Sequence, residues 1–180
     1  MTTRQALTVE AYLALPEEKP YLEYVRGEAV PKMAPDWMHF NLAKRILVAL
    51  AEYEAGFGGV AGVEGRVRFD DRADTRFLLP DVAYYAKGRP LRAGEFMAPP
   101  TLAVEIRSVG QSMNEQRDKC HYYREHGVDA VLLIDPENRA VEAFEGADHR
   151  VLEPPENVTL AALPGFSVSL TDLFSGLDAE

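Results

Sequence analysis

Two carboxylates and an amine carry the chemistry this sequence has to offer. Asp81 stands in LLPDVAYY (78–85) among Leu78, Leu79 and Val82, and Glu105 stands in TLAVEIR (101–107), where Leu102, Val104 and Ile106 alternate with Ala103 and Glu105. Such alternation in a run of strand formers reads as a buried strand. An ionised carboxylate there is costly unless a cation or hydrogen-bond donors meet it. Two acids on neighbouring strands form a like-charge pair that a divalent cation neutralises. Lys119 follows on the next helix and shares a face with Tyr123, four residues on. A lysine so placed orients a water or stabilises charge on a phosphate. Asp, then Glu, then Lys is the minimal outfit of metal-dependent phosphodiester hydrolysis. Each acid alone is also open to a plainer reading, in which it caps, pairs or faces solvent.

The elements that must position these groups are legible from spacing and punctuation. Thr8 is an N-cap for a short helix through Leu15, ended by Pro16. YLEYV (21–25) and EAVPKM (28–33) flank Arg26-Gly27 as a hairpin, with Pro31 placing the second strand at an edge. Asp36 caps a long helix to about Ala55, stopped by Gly56, with Leu42, Ile46, Leu50 and Tyr53 at helical spacing. Strands are expected near 60–69, 77–86 and 101–107. Ser112-Met113-Asn114-Glu115 is a capping box, so a helix starts there and ends before Gly127. DAVLLID (129–135) and AVEAFE (140–145) form a second hairpin, followed by NVTLAA, GFSVSL and a helical TDLF turn. This order predicts an α/β (α+β) fold, one central mixed β-sheet flanked by helices, with residues 1–180 as a single domain.

Composition limits the surroundings in which that chemistry operates. The chain has 180 residues, 47% hydrophobic and 27% charged, as expected of an ordinary globular protein. The single cysteine, Cys120, excludes an internal disulfide framework and a cysteine zinc cluster. No apolar run reaches the length of a membrane span, and the first residues lack a signal-peptide core, so a cytoplasmic location is expected. A net charge of −10 argues against nucleic acid as a partner. That charge is concentrated in residues 121–180, with 3 basic against 12 acidic side chains. The middle third, with Arg66, Arg68, Arg72, Arg76, Arg89, Arg92, Arg107, Arg117 and Lys119, is where a locally basic face is expected.

In order and spacing, LEYVRGE (22–28), His39, LLPDVAYY (78–85), LAVEIRS (102–108), Asp118-Lys119, Tyr123, GVDAVLLIDPENRAVEAF (127–144) and LPGFSVSLTDLF (163–174) resemble the Uma-type restriction endonuclease family of the PD-(D/E)xK nuclease superfamily. The resemblance spans about Leu22 to Phe174. It implies a restriction-endonuclease-like core, Asp81 and Glu105 as ligands of Mg²⁺ or Mn²⁺, Glu23 as an additional acid, Lys119 as the catalytic lysine, and DNA as substrate. The general superfamily pattern puts the basic residue two positions after the Glu, where this chain has Arg107. A guanidinium stays protonated and is a poor proton acceptor. Arg107 is therefore read as an electrostatic helper that pairs with Glu105 or contacts phosphate.

Lesser candidates carry open alternatives. His39 binds phosphate or metal, or is structural. Tyr84-Tyr85 and Tyr122-Tyr123 stack bases or pack the core. Cys120 reads as a small buried residue. Arg66 and Arg68 make a phosphate-contacting stripe or a wet sheet face. Two other functions compete with hydrolysis: a nuclease-fold module that binds nucleic acid without cutting it, and a protein-interaction domain using the acidic last third. A homodimer would suit cleavage of two strands.

Overall fold

The computed structural model describes residues 6–70 and 74–178; Arg72, counted above in the basic third, lies outside them. Helix α1 (Val9–Leu13) follows Thr8, whose hydroxyl accepts from the Ala11 amide. Strands β1 (Leu22–Val25) and β2 (Glu28–Pro31) turn through Arg26-Gly27, at φ of 51° and 81°. Glycine takes the second of these without strain. Pro31 lies on an edge strand, as its missing amide requires. Asp36 caps α2 (Trp37–Phe57), accepting the His39 amide at 2.8 Å. The helix continues past Gly56 and closes at Gly58. A glycine in the last turn costs only about 1 kcal/mol relative to alanine, too little to stop a helix packed on its apolar face.

Each of the strands expected at 60–69 and 77–86 is broken in its middle. The first gives β3 (Val60–Val63) and β4 (Val67–Asp70); the second gives β5 (Thr75–Leu78) and β6 (Val82–Tyr85), with Leu79-Pro80-Asp81 between them. One antiparallel register nevertheless runs through both pairs. Val60 faces Tyr85 and Val63 faces Val82, then Val67 faces Leu78 and Asp70 faces Thr75. The two runs are one ribbon, bent at residues 64–66 and 79–81, where Pro80 has no amide for a ladder.

The bend divides the strands between two sheets where the sequence suggested one. With β7 (Arg92–Ala93) and β8 (Phe96–Met97), the first has the order β2-β1-β5-β4-β8-β7. With β9 (Leu102–Ile106), β10 (Ala130–Asp135), β11 (Ala140–Glu145) and β12 (Asp148–Leu152), the second has the order β12-β11-β10-β9-β6-β3. Here β9 and β10 are parallel, joined through α3 (Met113–Glu125), and the other pairs are antiparallel. A hairpin of β13 (Asn157–Leu160) and β14 (Leu163–Ser169) and the short α4 (Leu170–Ser175) complete the described fold.

Strand β9 is buried throughout, and its alternation sorts the core. Leu102, Val104 and Ile106 pack with Leu42, Ile46 and Leu50 of α2 and with Phe166 and Phe174. Ala103 packs with Cys120 and Tyr123 of α3. Glu105 therefore projects to the α3 side. No described helix is long and apolar enough to cross a membrane.

The α2–β3 junction is tightly fitted. Gly59 has φ +102°, and a Cβ there would lie 2.5 Å from the Tyr84 hydroxyl and 2.5 Å from the Tyr85 carbonyl oxygen. Gly59→Ala is expected to cost about 2 kcal/mol and lower the melting temperature by roughly 4–8 °C in a thermal denaturation scan.

Candidate active site

Lysine and tyrosine from α3 meet Glu105. The Tyr123 hydroxyl donates to Glu105 Oε1 at 2.7 Å, and Lys119 Nζ lies 3.0 Å from the same oxygen. One turn of helix separates the two donors, so the face that carries one delivers the other. Lys119 also donates to Glu23 Oε1 at 2.8 Å, bringing in β1 of the first sheet. The Leu79 amide donates to that oxygen too, fixing the Glu23 carboxylate against the ribbon bend. Burial works against the Lys119 ammonium, but Glu105 and Glu23 outweigh it and hold the amine protonated well above its ordinary range. Burial pushes Glu105 up, against the opposing pull of Lys119. Burial and the Glu105 charge keep the Tyr123 hydroxyl protonated, as a donor must be.

Asp81 sits at the bend, and its surroundings come from three directions. Its Oδ2 accepts the Ile106 amide at 2.7 Å, tying it to the end of β9. Its Oδ1 lies 2.7 Å from Lys32 Nζ and 3.2 Å from His39 Nε2. An ionised carboxylate only accepts, so the His39 proton belongs on Nε2, leaving Nδ1 3.3 Å from the Ser108 hydroxyl. Burial opposes the Asp81 charge, but the His39 hydrogen bond and Lys32 hold its carboxyl well below the usual range. The Asp81 charge in turn raises Glu105, so the two acids sense one another. Each member of the like-charge pair expected from the sequence thus faces an ammonium, Asp81 that of Lys32 and Glu105 that of Lys119, which it shares with Glu23.

Glu23, Asp81, Glu105 and Lys119 are brought together, and His39 joins them through Asp81. The sequence reading missed Lys32 altogether. It follows an edge strand, where a lone lysine ordinarily discourages strand pairing, so its local pattern carries no functional signal. Tyr123 was signalled by its spacing from Lys119.

Arg107 does not join Glu105. Strand β9 ends before it, its amide donates to the Ile134 carbonyl, and its guanidinium binds Asp135 at 2.8 Å and Glu137. Asp135, at the end of the neighbouring β10, is the acid within reach. Tyr84, Tyr85, Tyr122 and Tyr123 are buried rather than presented for base stacking, and Cys120 is buried in the cluster that holds Tyr122 and Tyr123. Arg66 pairs with Glu17, Arg68 with Asp70, Arg76 with Asp74, Arg89 with Asp129 and Arg117 with Glu142. Among the described residues, only Lys87 and Arg92 of the middle third lack an acidic partner, so the basic face is largely neutralised locally.

Among the described residues, no three His, Cys, Asp or Glu side chains are arranged as a metal cluster. The donor set nonetheless suits a hard cation that needs few protein ligands. Asp81 and Glu105 offer carboxylate oxygens, and Mg²⁺ or Mn²⁺ completes its shell with water and phosphate. Next to the buried groups, Glu23 and Lys119 line an open cleft of about 710 Å³ with Arg26, Arg76, Asp118 and His121.

A family model described as "Uma2: Putative restriction endonuclease" matches residues 9–171. Among solved structures, the chain is similar to a "putative nuclease belonging to DUF820 from Anabaena variabilis ATCC 29413", with a TM-score of 0.82 and 24% identity, covering 95% of this chain and 99% of that one. No curated protein matches.

The depressed Asp81 carboxyl makes the fold acid-sensitive in a defined window. With its pKa lowered on folding, the native state binds fewer protons than the unfolded chain. Its stabilisation is complete above about pH 4, the unfolded value, and is lost as pH falls below it. Asp81→Asn should therefore lose less stability than the parent between about pH 5 and pH 3, measured as the shift of the urea midpoint.

Proposed function

The chain belongs to the Uma2 family of restriction-endonuclease-type proteins, and from that premise we propose that it is a metal-dependent endonuclease that hydrolyses DNA phosphodiester bonds. The observation that carries this reading is the Lys119 ammonium held between Glu23 and Glu105, with Asp81 beside them. Held by Asp81 and Glu105, Mg²⁺ or Mn²⁺ would activate water and offset charge at the reacting phosphate. Against burial, Glu105 and Glu23 favour the protonated form of Lys119, which would act as a hydrogen-bond donor and positive charge toward a phosphate oxygen. Glu23 and Tyr123 are positioning residues. Glu23 fixes the direction of the Lys119 ammonium, and Tyr123 fixes the rotamer of Glu105. His39 does the same for Asp81 and is itself aligned by Ser108.

Two copies acting together would cut both strands, and α2 supplies a face for pairing. Trp37, Phe40 and Val48 are all more than half exposed on it, opposite the buried His39 face. Lys44 and Glu52 lie exposed on either side of Val48, without an ion-pair partner among the described residues. An antiparallel two-fold contact centred on Val48 sets Lys44 of each copy against Glu52 of the other and leaves both sites open.

Two experiments check these assignments. With Mn²⁺ and plasmid DNA, Lys119→Met should lower single-turnover cleavage at least a hundredfold, while the folded content stays unchanged by circular dichroism. Activity equal to the parent removes Lys119 from the reaction. For pairing, Lys44→Glu should shift sedimentation toward the monomer, and adding Glu52→Lys should restore the dimer. A parent that is monomeric at all concentrations overturns this interface.

A further inference from the structure

Lys32 has no part in the roles assigned above, although its Nζ is as close to Asp81 as any donor in the site. It leaves the edge strand β2 and reaches inward, with its side chain 14% exposed against 5% for Asp81. There it lies 2.7 Å from Asp81 Oδ1 and donates to the Leu79 carbonyl at the ribbon bend. Its charge is felt at Glu105 as well, where it opposes the effect of burial. With Ile106 on Oδ2 and His39 beside Lys32 on Oδ1, three donors already meet the Asp81 carboxylate. A divalent cation approaching that carboxylate meets an ammonium already placed where positive charge is wanted. Two cations against one oxygen repel strongly in a buried setting.

We propose that Lys32 is the built-in counter-cation of this site, occupying Asp81 in place of a divalent ion and vacating it when one binds. The inference rests on the metal-dependent reading of Asp81 and Glu105 given above. A lysine suits this role because its ammonium is a compact charge on a flexible four-carbon stem, so it leaves one acceptor for another without rebuilding the backbone. While Lys32 is in place the Asp81 charge is compensated, and the metal binds only to the fraction of molecules in which the ammonium has turned away. Its apparent affinity is lowered by that fraction. A nucleic-acid phosphate is a natural acceptor for the released ammonium. Substrate would then raise metal affinity, and metal would raise substrate affinity by the same factor.

The test is a titration with Mn²⁺ alone, free of nucleic acid, followed by the electron paramagnetic resonance signal of the free ion. Lys32→Met should bind Mn²⁺ at least tenfold more tightly than the parent and show a larger Mn²⁺-induced rise in melting temperature. Lys32→Gln, which keeps a polar donor for Leu79 should Met disturb folding, should tighten binding in the same direction. Lys32→Arg should stay close to the parent. Equal or weaker binding by Lys32→Met and Lys32→Gln overturns the proposal, while loss of binding in Asp81→Asn keeps the metal site itself. If neither the parent nor any Lys32 variant binds Mn²⁺, the metal site and the counter-cation fall together.

Discussion

A carboxylate in the middle strand of a sheet has lost its water, and the rest of this site answers that loss. Glu105 has β10 on one side and β6 on the other. Its charge is tolerable only because α3 delivers a hydroxyl and an ammonium to the same oxygen. The ammonium, 18% exposed against 5% for Glu105, is held by a second acid, Glu23, from the other sheet. One desolvation cost thus ties together β9, α3 and β1. Removing a single partner from such a set leaves another charge uncompensated, which is why its members act as a unit rather than as separable contacts.

Asp81 solves the same problem by a different route. It stands where the backbone leaves one sheet for the other, close to groups that regular pairing leaves available. The Ile106 amide at the end of β9 and the α2 histidine both reach it there. Asp36, which caps α2, binds the amide of the very residue whose ring faces Asp81, so helix initiation and site geometry share one position. Against burial, the His39 hydrogen bond and then the Lys32 charge hold the carboxyl well below its usual range.

Much of this was legible in the sequence because the determining signals are local. Arg26-Gly27, Asp36 and the Ser112 capping box each set an element end through their own backbone or nearest turn. Strand β9 followed from its alternation, and β10 with β11 from an apolar run and the turn that follows it. The division between two sheets was not legible. Pro80 interrupts the run between Leu79 and Val82, but nothing local says which sheet each half will join. Arg107 was misplaced for a related reason: strand periodicity put it on the Glu105 face, but β9 stops at Ile106 and Asp135 of β10 captured it. Glu23 and Lys32 are separated from Asp81 by about fifty residues of chain, and contacts at such distance leave no periodic trace.

The uninterrupted register of the bent ribbon has a consequence for how chains of this design can vary in length. Because Val60–Val63 and Val67–Asp70 face Val82–Tyr85 and Thr75–Leu78 in one continuous count, the three residues at each side of the bend are matched to one another. Deleting or inserting one residue within either arm shifts pairing beyond the change and turns the affected strand over, bringing Arg68 toward the core and Phe69 toward water. It would also swing Asp81 away from the Ile106 amide. Length changes that preserve the site must therefore enter outside the two arms or arrive as compensating pairs across the bend. The ribbon acts as a fixed ruler between the two sheets.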